Sequence, residues 1–127
     1  MDLKKYFDNA SGRGVLATAN SDGKVDVAVY ARPHVMDDGA VAFIMADRLT
    51  HHNLQSNPHA AYLFMEDAGA KKFAGKRLFL TKVREEKDTE LLKSLRRRTY
   101  GDEREGRYLV FFTVDKVLPL IGAGKGK

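Results

Sequence analysis

VDVAVYARPHVMDDGAVAFIMADRLTHHNLQSNPHAAYLF, residues 25–64, carries the order of elements on which the rest of the chain can be read. Val25, Val27 and Val29 alternate with Asp26, Ala28 and Tyr30. A period of two puts the two sets on opposite faces of a strand. The pattern runs on through Ala31 and Arg32 to Pro33, which has no N–H to give a ladder and so predicts an edge or a strand end. Asp37-Asp38-Gly39 has the composition of a turn. Residues 40–46 are nearly all apolar, which predicts a third strand. Asp47 is placed to cap a helix over residues 48–57, closed by Pro58 because the residue before a proline is pushed out of the helical region. Residues 60–65 form the next predicted strand.

Working outward, Leu3, Tyr6, Phe7 and Ala10 make an apolar stripe at helical spacing, with Asp2 as cap and Gly12 and Gly14 as stops. Residues 15–19 read as a buried strand, and Ser21-Asp22-Gly23 as a tight hairpin turn. Downstream, residues 66–75 read as a loop and residues 77–83 as a fifth strand. Asp88 or Thr89 caps a helix with Leu91, Leu92 and Leu95 on its apolar face. Arg96, Arg97 and Arg98 would complement the negative end of its dipole. Residues 108–114 form a sixth strand. The expectation is a mainly β (α+β) fold: a six-stranded antiparallel barrel with short helices packed outside. One domain spans residues 1–127, with the N-terminal helix within 1–12 and a flexible tail at 122–127.

A chain of 127 residues with 43% hydrophobic content is the size and composition of one folded domain. It contains no cysteine, which excludes disulfides, thiolate catalysis, Cys-based zinc sites and iron–sulfur clusters. No apolar run approaches the ~18–20 residues of a membrane span, and the N-terminus lacks the apolar core of a signal peptide. A cytoplasmic protein with no membrane partner is expected. The net charge of +5 is spread among interleaved acids such as Asp37, Asp38, Glu66, Asp67, Glu85 and Glu86. That mixture argues against a nucleic-acid face and leaves a small phosphorylated ligand as the better use of the cations.

The predicted strand–helix junction at Arg48, Leu49, Thr50 and His51 can serve such a ligand. A helix start presents unsatisfied N–H groups and a partial positive charge. Arg48 can add a cationic fork, Thr50 a hydroxyl donor, and Arg32 a second cation from the neighbouring strand. The same residues are equally those of a capped helix carrying a solvated arginine. His34, His51, His52 and His59 show no metal-ligand spacing and read as solvated or capping, so no metal site is expected. Tyr30 and Tyr62 are stacking candidates or ordinary packing residues. No serine sits in a nucleophile motif, and no catalytic side chain can be named.

VYARPHVMDDGAVAFIMADRLTHHNLQSNPHAAYLF (residues 29–64), GKRLFLTKV (75–83) and YLVFFTVDKVLPL (108–120) together resemble the pyridoxamine 5'-phosphate oxidase-like family of flavin mononucleotide (FMN)-binding split barrels. The resemblance implies FMN as cofactor, bound at the interface of a homodimer. It implies that the phosphate lies on Arg48, the Leu49 backbone and Thr50. The ring would lie along the backbone of Val29, Tyr30 and Ala31, with Met45 nearby and Arg32 at the phosphate or the pyrimidine edge. Basic residues of the 71–77 stretch are candidates to complete the partner's pocket. Family members often carry a Ser/Thr-Arg-Lys grip where this chain has Arg48-Leu49-Thr50. The Arg-x-His extension of the oxidase itself is also missing after Pro119-Leu120, so the resemblance is to the family and not to that enzyme. The function implied is a redox flavoprotein passing electrons or hydride between a nicotinamide or small acceptor and FMN. The alternative is a non-catalytic module binding FMN, haem or a deazaflavin.

Overall fold

The computed structural model describes residues 2–67, 73–96 and 106–122. Among these residues the order is α1 (Leu3–Asn9), β1 (Gly12–Ala19), β2 (Val25–Val29), β3 (His34–Val35), β4 (Val41–Ala46), α2 (Leu49–Ser56), β5 (His59–Glu66), β6 (Gly75–Lys87), α3 (Glu90–Leu95) and β7 (Arg107–Pro119). All seven strands pair antiparallel in one sheet of order β2-β1-β5-β6-β7-β4-β3. The mainly β architecture follows the sequence pattern, but the count of six strands does not hold. The additional strand is β3, whose His34 and Val35 pair with Ala42 and Val41 of β4. Two residues are too few to show a period. The tight turns fall where Asp-Gly predicted them, with Gly23 and Gly39 at φ values of 83° and 90° that other residues rarely adopt.

Several boundaries also move. β2 ends at Val29, before Tyr30, Ala31 and Arg32. β6 and β7 each run to 13 residues, because they pair with each other from Lys76↔Pro119 to Lys87↔Tyr108. α2 begins at Leu49 with Arg48 as its N-cap, in place of Asp47. The α3 cap is Thr89, whose hydroxyl accepts from the Leu92 N–H, while Leu91 of its expected apolar face is exposed. Arg96 is the C-cap of that helix, and Arg97, Arg98, Lys71 and Lys72 lie outside the described residues. So do the last five residues of the tail.

The sheet curls around an inner core. Phe43 of β4 touches Tyr62 of β5, with ring centroids 4.9 Å apart, although β6 and β7 lie between those strands in the sheet order. Leu16, Phe64, Leu78, Leu80, Val110 and Phe112 complete this core, and Phe7 of α1 closes it against Phe64. Gly14 is required here: any side chain on it would strike the Tyr62 hydroxyl. That hydroxyl donates to the Tyr30 carbonyl at 3.0 Å. The outer face differs along its length. Over β4 and β7 it is covered by α3, where Leu92 packs with Ala42, Leu109 and Phe111. Over β2, β1 and β5 it carries Val25, Val27 and Val29 at 80%, 62% and 82% exposure.

β6 contains a bulge that matters for the site. Lys82 pairs with Phe112 and Arg84 with Phe111, so Val83 is an extra residue. Beyond it the alternation shifts by one, and Glu85, opposite Val110, shares the inner face with Lys82. Without that shift Arg84 would take the inner position. Among the described residues no helix is long and apolar enough to cross a membrane.

Candidate functional site

The site is built where β4 passes into α2. Met45 and Ala46 are held by pairing with Tyr108 and Arg107 of β7, so the strand delivers the chain to a fixed point. The α2 start is unlike those of the other described helices. Asp2 caps α1 by accepting from the Lys5 N–H, and Thr89 caps α3, whereas Arg48 makes no side-chain cap bond. The first intrahelical bond is His52 N–H to the Arg48 carbonyl at 2.9 Å. The amides of the first turn thus lack the side-chain acceptor that a capped helix supplies. Arg48 and Leu49 are exposed beside them.

Thr50 turns inward and is only 4% exposed. Its hydroxyl lies 3.4 Å from Asp26 Oδ2 on β2, a long hydrogen bond, and it also bonds the Tyr30 phenol. Tyr30 packs edge-on against Phe43. Burial pushes the Tyr30 phenol above its usual range, and the nearby Asp26 charge adds to that, against the Thr50 hydrogen bond. Asp26, Tyr30 and Thr50 therefore meet on the inner side of β2.

The remaining sequence-named residues are placed more loosely around this point. Val29 faces outward, Ala31 is exposed and Arg32 half-buried just beyond the strand end. Met45 is buried in the inner core at 1% exposure, on the wall beneath the junction. The backbone at Tyr30 is fixed from both sides: its N–H donates to the Gly14 carbonyl and its own carbonyl accepts from Tyr62.

His51 is the residue that sequence reasoning placed wrongly, as solvated or capping. It is buried, at 6% exposure, and its ring lies parallel to Tyr108 with centroids 3.8 Å apart. Nε2 is 3.0 and 3.1 Å from the two carboxylate oxygens of Glu85 on β6. Glu85 also accepts from Lys82 Nζ at 2.6 Å and from Gln55 Nε2 at 3.1 Å. Burial acts to raise the Glu85 carboxyl, but these hydrogen bonds and the His51 charge outweigh it and bring it down to about 2. No local signal announces the pair. Its halves are 34 residues apart, and the bulge at Val83 hides the inward parity of Glu85.

No family model matches the chain, and no curated protein sequence matches it. Solved structures do. An FMN-binding protein from Syntrophomonas wolfei subsp. wolfei superposes with a TM-score of 0.73 at 19% identity, over 94% of this chain and 84% of that one. A protein named F420 reductase gives 0.67 at 13% identity, covering 92% and 97%. A putative pyridoxamine 5'-phosphate oxidase from Lactobacillus delbrueckii gives 0.66 at 16% identity, covering 93% and 92%. At these identities the likeness is one of fold. The sheet is that of the pyridoxamine 5'-phosphate oxidase-like proteins, as the resemblance in the sequence implied.

Proposed function

We propose that this chain is a flavoprotein that holds FMN at the α2 start and the adjoining end of β2, within a single split-barrel domain. The observation that carries the reading is the α2 start, which has no side-chain cap and an exposed arginine at the cap position. Such a donor set fits a phosphate group. Arg48, the Leu49 amide and Thr50 would hold the phosphate. The backbone at Val29, Tyr30 and Ala31 would carry the ring, with Arg32 at its edge and Met45 as part of the apolar wall beneath. When bound, FMN supplies hydride or single-electron chemistry, with a nicotinamide or small acceptor as the other redox party. The chain orients the flavin and excludes water through the Tyr30–Phe43–Tyr62 wall. A deazaflavin carrier is the second reading, supported by the structural likeness to a protein named F420 reductase.

The same reading includes a homodimer in the cytoplasm. Val25, Val27 and Val29 continue across the outer face into Ala17, Ala61, Leu63 and Phe79 through the ladder register. A second copy over that row would bury it and close the pocket. The test is uptake of flavin by purified protein: bound FMN, released on denaturation, and binding weakened about tenfold by Arg48→Ala and by Thr50→Ala. A chain that stays colourless and takes up no added FMN overturns the reading.

A further inference from the structure

We propose that His51 and Glu85 are the positioning residues of this site: their hydrogen-bonded pair aims the first turn of α2 and so sets the grip on a phosphate group, without either residue touching it. The proposal rests on the reading above for its ligand, but its geometry stands independently of the flavin.

α2 has eight residues, too few to hold a helix by its own backbone bonds. Its direction must come from outside. Thr50 ties it to β2, through the long bond to Asp26. His51, the next residue and about 100° further round the helix, ties it to β6 and β7, and these contacts are short: 3.0 and 3.1 Å to Glu85, and a 3.8 Å stack on Tyr108 at 18° between planes. Arg48, at the cap position, and Leu49 come directly before these two anchors in the chain.

Gln55 Nε2 lies 3.1 Å from each of three atoms: the His51 carbonyl, Glu85 Oε1 and His51 Nε2. The two oxygens of the ionised Glu85 can only accept, so an N–H on His51 Nε2 is the donor toward them, and Nδ1 faces Asp47 Oδ1 at 3.7 Å. Around the ring stand Asp47 from the loop, Glu85 and Lys82 from β6, Tyr108 from β7, and Lys87, whose ammonium is 5.5 Å from the Tyr108 centroid.

An apolar side chain would cover Tyr108 as well as His51 does. Polar networks of this kind rarely add net stability over apolar packing. What a carboxylate supported by Lys82 and Gln55 adds is direction: its two oxygens share the one Nε2–H of His51, and together with the Tyr108 stack this holds the turn in one position against the sheet.

The experiment compares FMN with riboflavin, which lacks the phosphate, and reads backbone amide exchange of α2 in flavin-free protein. Glu85→Ala is expected to lower FMN affinity about tenfold while riboflavin affinity stays within about twofold, and to speed exchange at residues 50–54 but not in β1. Glu85→Gln keeps an acceptor oxygen for Nε2–H and restores most of the difference. His51→Phe keeps the stack and the burial, so it guards against simple unfolding, and it should reproduce the Glu85→Ala pattern. An unchanged FMN-to-riboflavin ratio with unchanged α2 exchange in both variants overturns the proposal. Should the wild-type chain bind neither flavin, the flavin reading falls and inorganic phosphate becomes the probe. Phosphate-induced shifts of the Thr50 and His51 amides that disappear in Glu85→Ala then uphold the positioning role. Wild-type amides that do not respond overturn it.

Discussion

The outer face of the sheet is finished at one end and bare at the other. Over β4 and β7, α3 lays Leu92 and Leu95 on Ala42, Ile44, Leu109 and Phe111, and Met36 completes the layer. Over β2, β1 and β5 the outward row is equally apolar, yet no element of the described chain covers it. The covered half backs β4, the strand that leads into the site. The bare half belongs to the strand that carries the other side of the site. One wall is thus set by the chain's own packing, and the other is the wall that the proposed dimer would cover.

This contrast can be broken from either end, and the largest effect is expected on the covered half. Leu92→Ala removes a side chain that is 1% exposed, and should cost about 2–5 kcal/mol in urea unfolding. On the bare half, Val27→Ala should change monomer stability by no more than about 0.5 kcal/mol. A loss as large as that of Leu92 would mean that the valine row is packed within one chain.

Val27→Asp asks the complementary question. The wild-type chain should sediment as a dimer and the variant as a folded monomer, since burying an unpaired carboxylate costs several kcal/mol. A wild-type monomer would remove the valine row from the proposed interface.

The third prediction concerns acid. Glu85 has its carboxyl lowered from an ordinary 4.5 to about 2 in the folded chain. Its contribution to stability is therefore complete above pH 4.5 and is lost as the pH falls toward 2. Glu85→Gln should flatten this limb of an acid-unfolding curve, so that wild type and variant differ near neutrality and converge at the acid end.

The smallest effect is on the inner side of β2. Asp26 places a carboxylate beside Thr50, where a phosphate would have to come close. Asp26→Asn should tighten FMN binding by roughly threefold while leaving riboflavin unchanged. Equal effects on both ligands would place the phosphate elsewhere.

These regions also differ in how far the sequence discloses them. The apolar run of β4, the two Asp-Gly turns and the α1 stripe are local patterns, and each appears in the structure close to where it was read. In β2 the alternation was plain, but its sense was not. Two faces follow from a period of two, while the choice of the inward one is tertiary. Here Asp26, Ala28 and Tyr30 turn in because Thr50 and Phe43 await them, and the valines turn out. At the candidate site, Arg48 and Thr50 were visible as helix-start residues. His51 was not, because its burial depends on Tyr108 and Glu85, which reach it only through the β6–β7 pairing.

The bulge in β6 has one more consequence. Val83 is a spare link in the strand: Lys82 and Arg84 already occupy successive rungs opposite Phe112 and Phe111. The chain can lose one residue there and every later side chain keeps its face, with Glu85 still turned toward His51. A deletion at Phe79 or Thr81 has no such slack, and would turn the rungs between it and the bulge inside out. The charge that meets the α2 histidine is decided by counting along the strand as much as by which residue was chosen, and Val83 is where that count can be altered without harm.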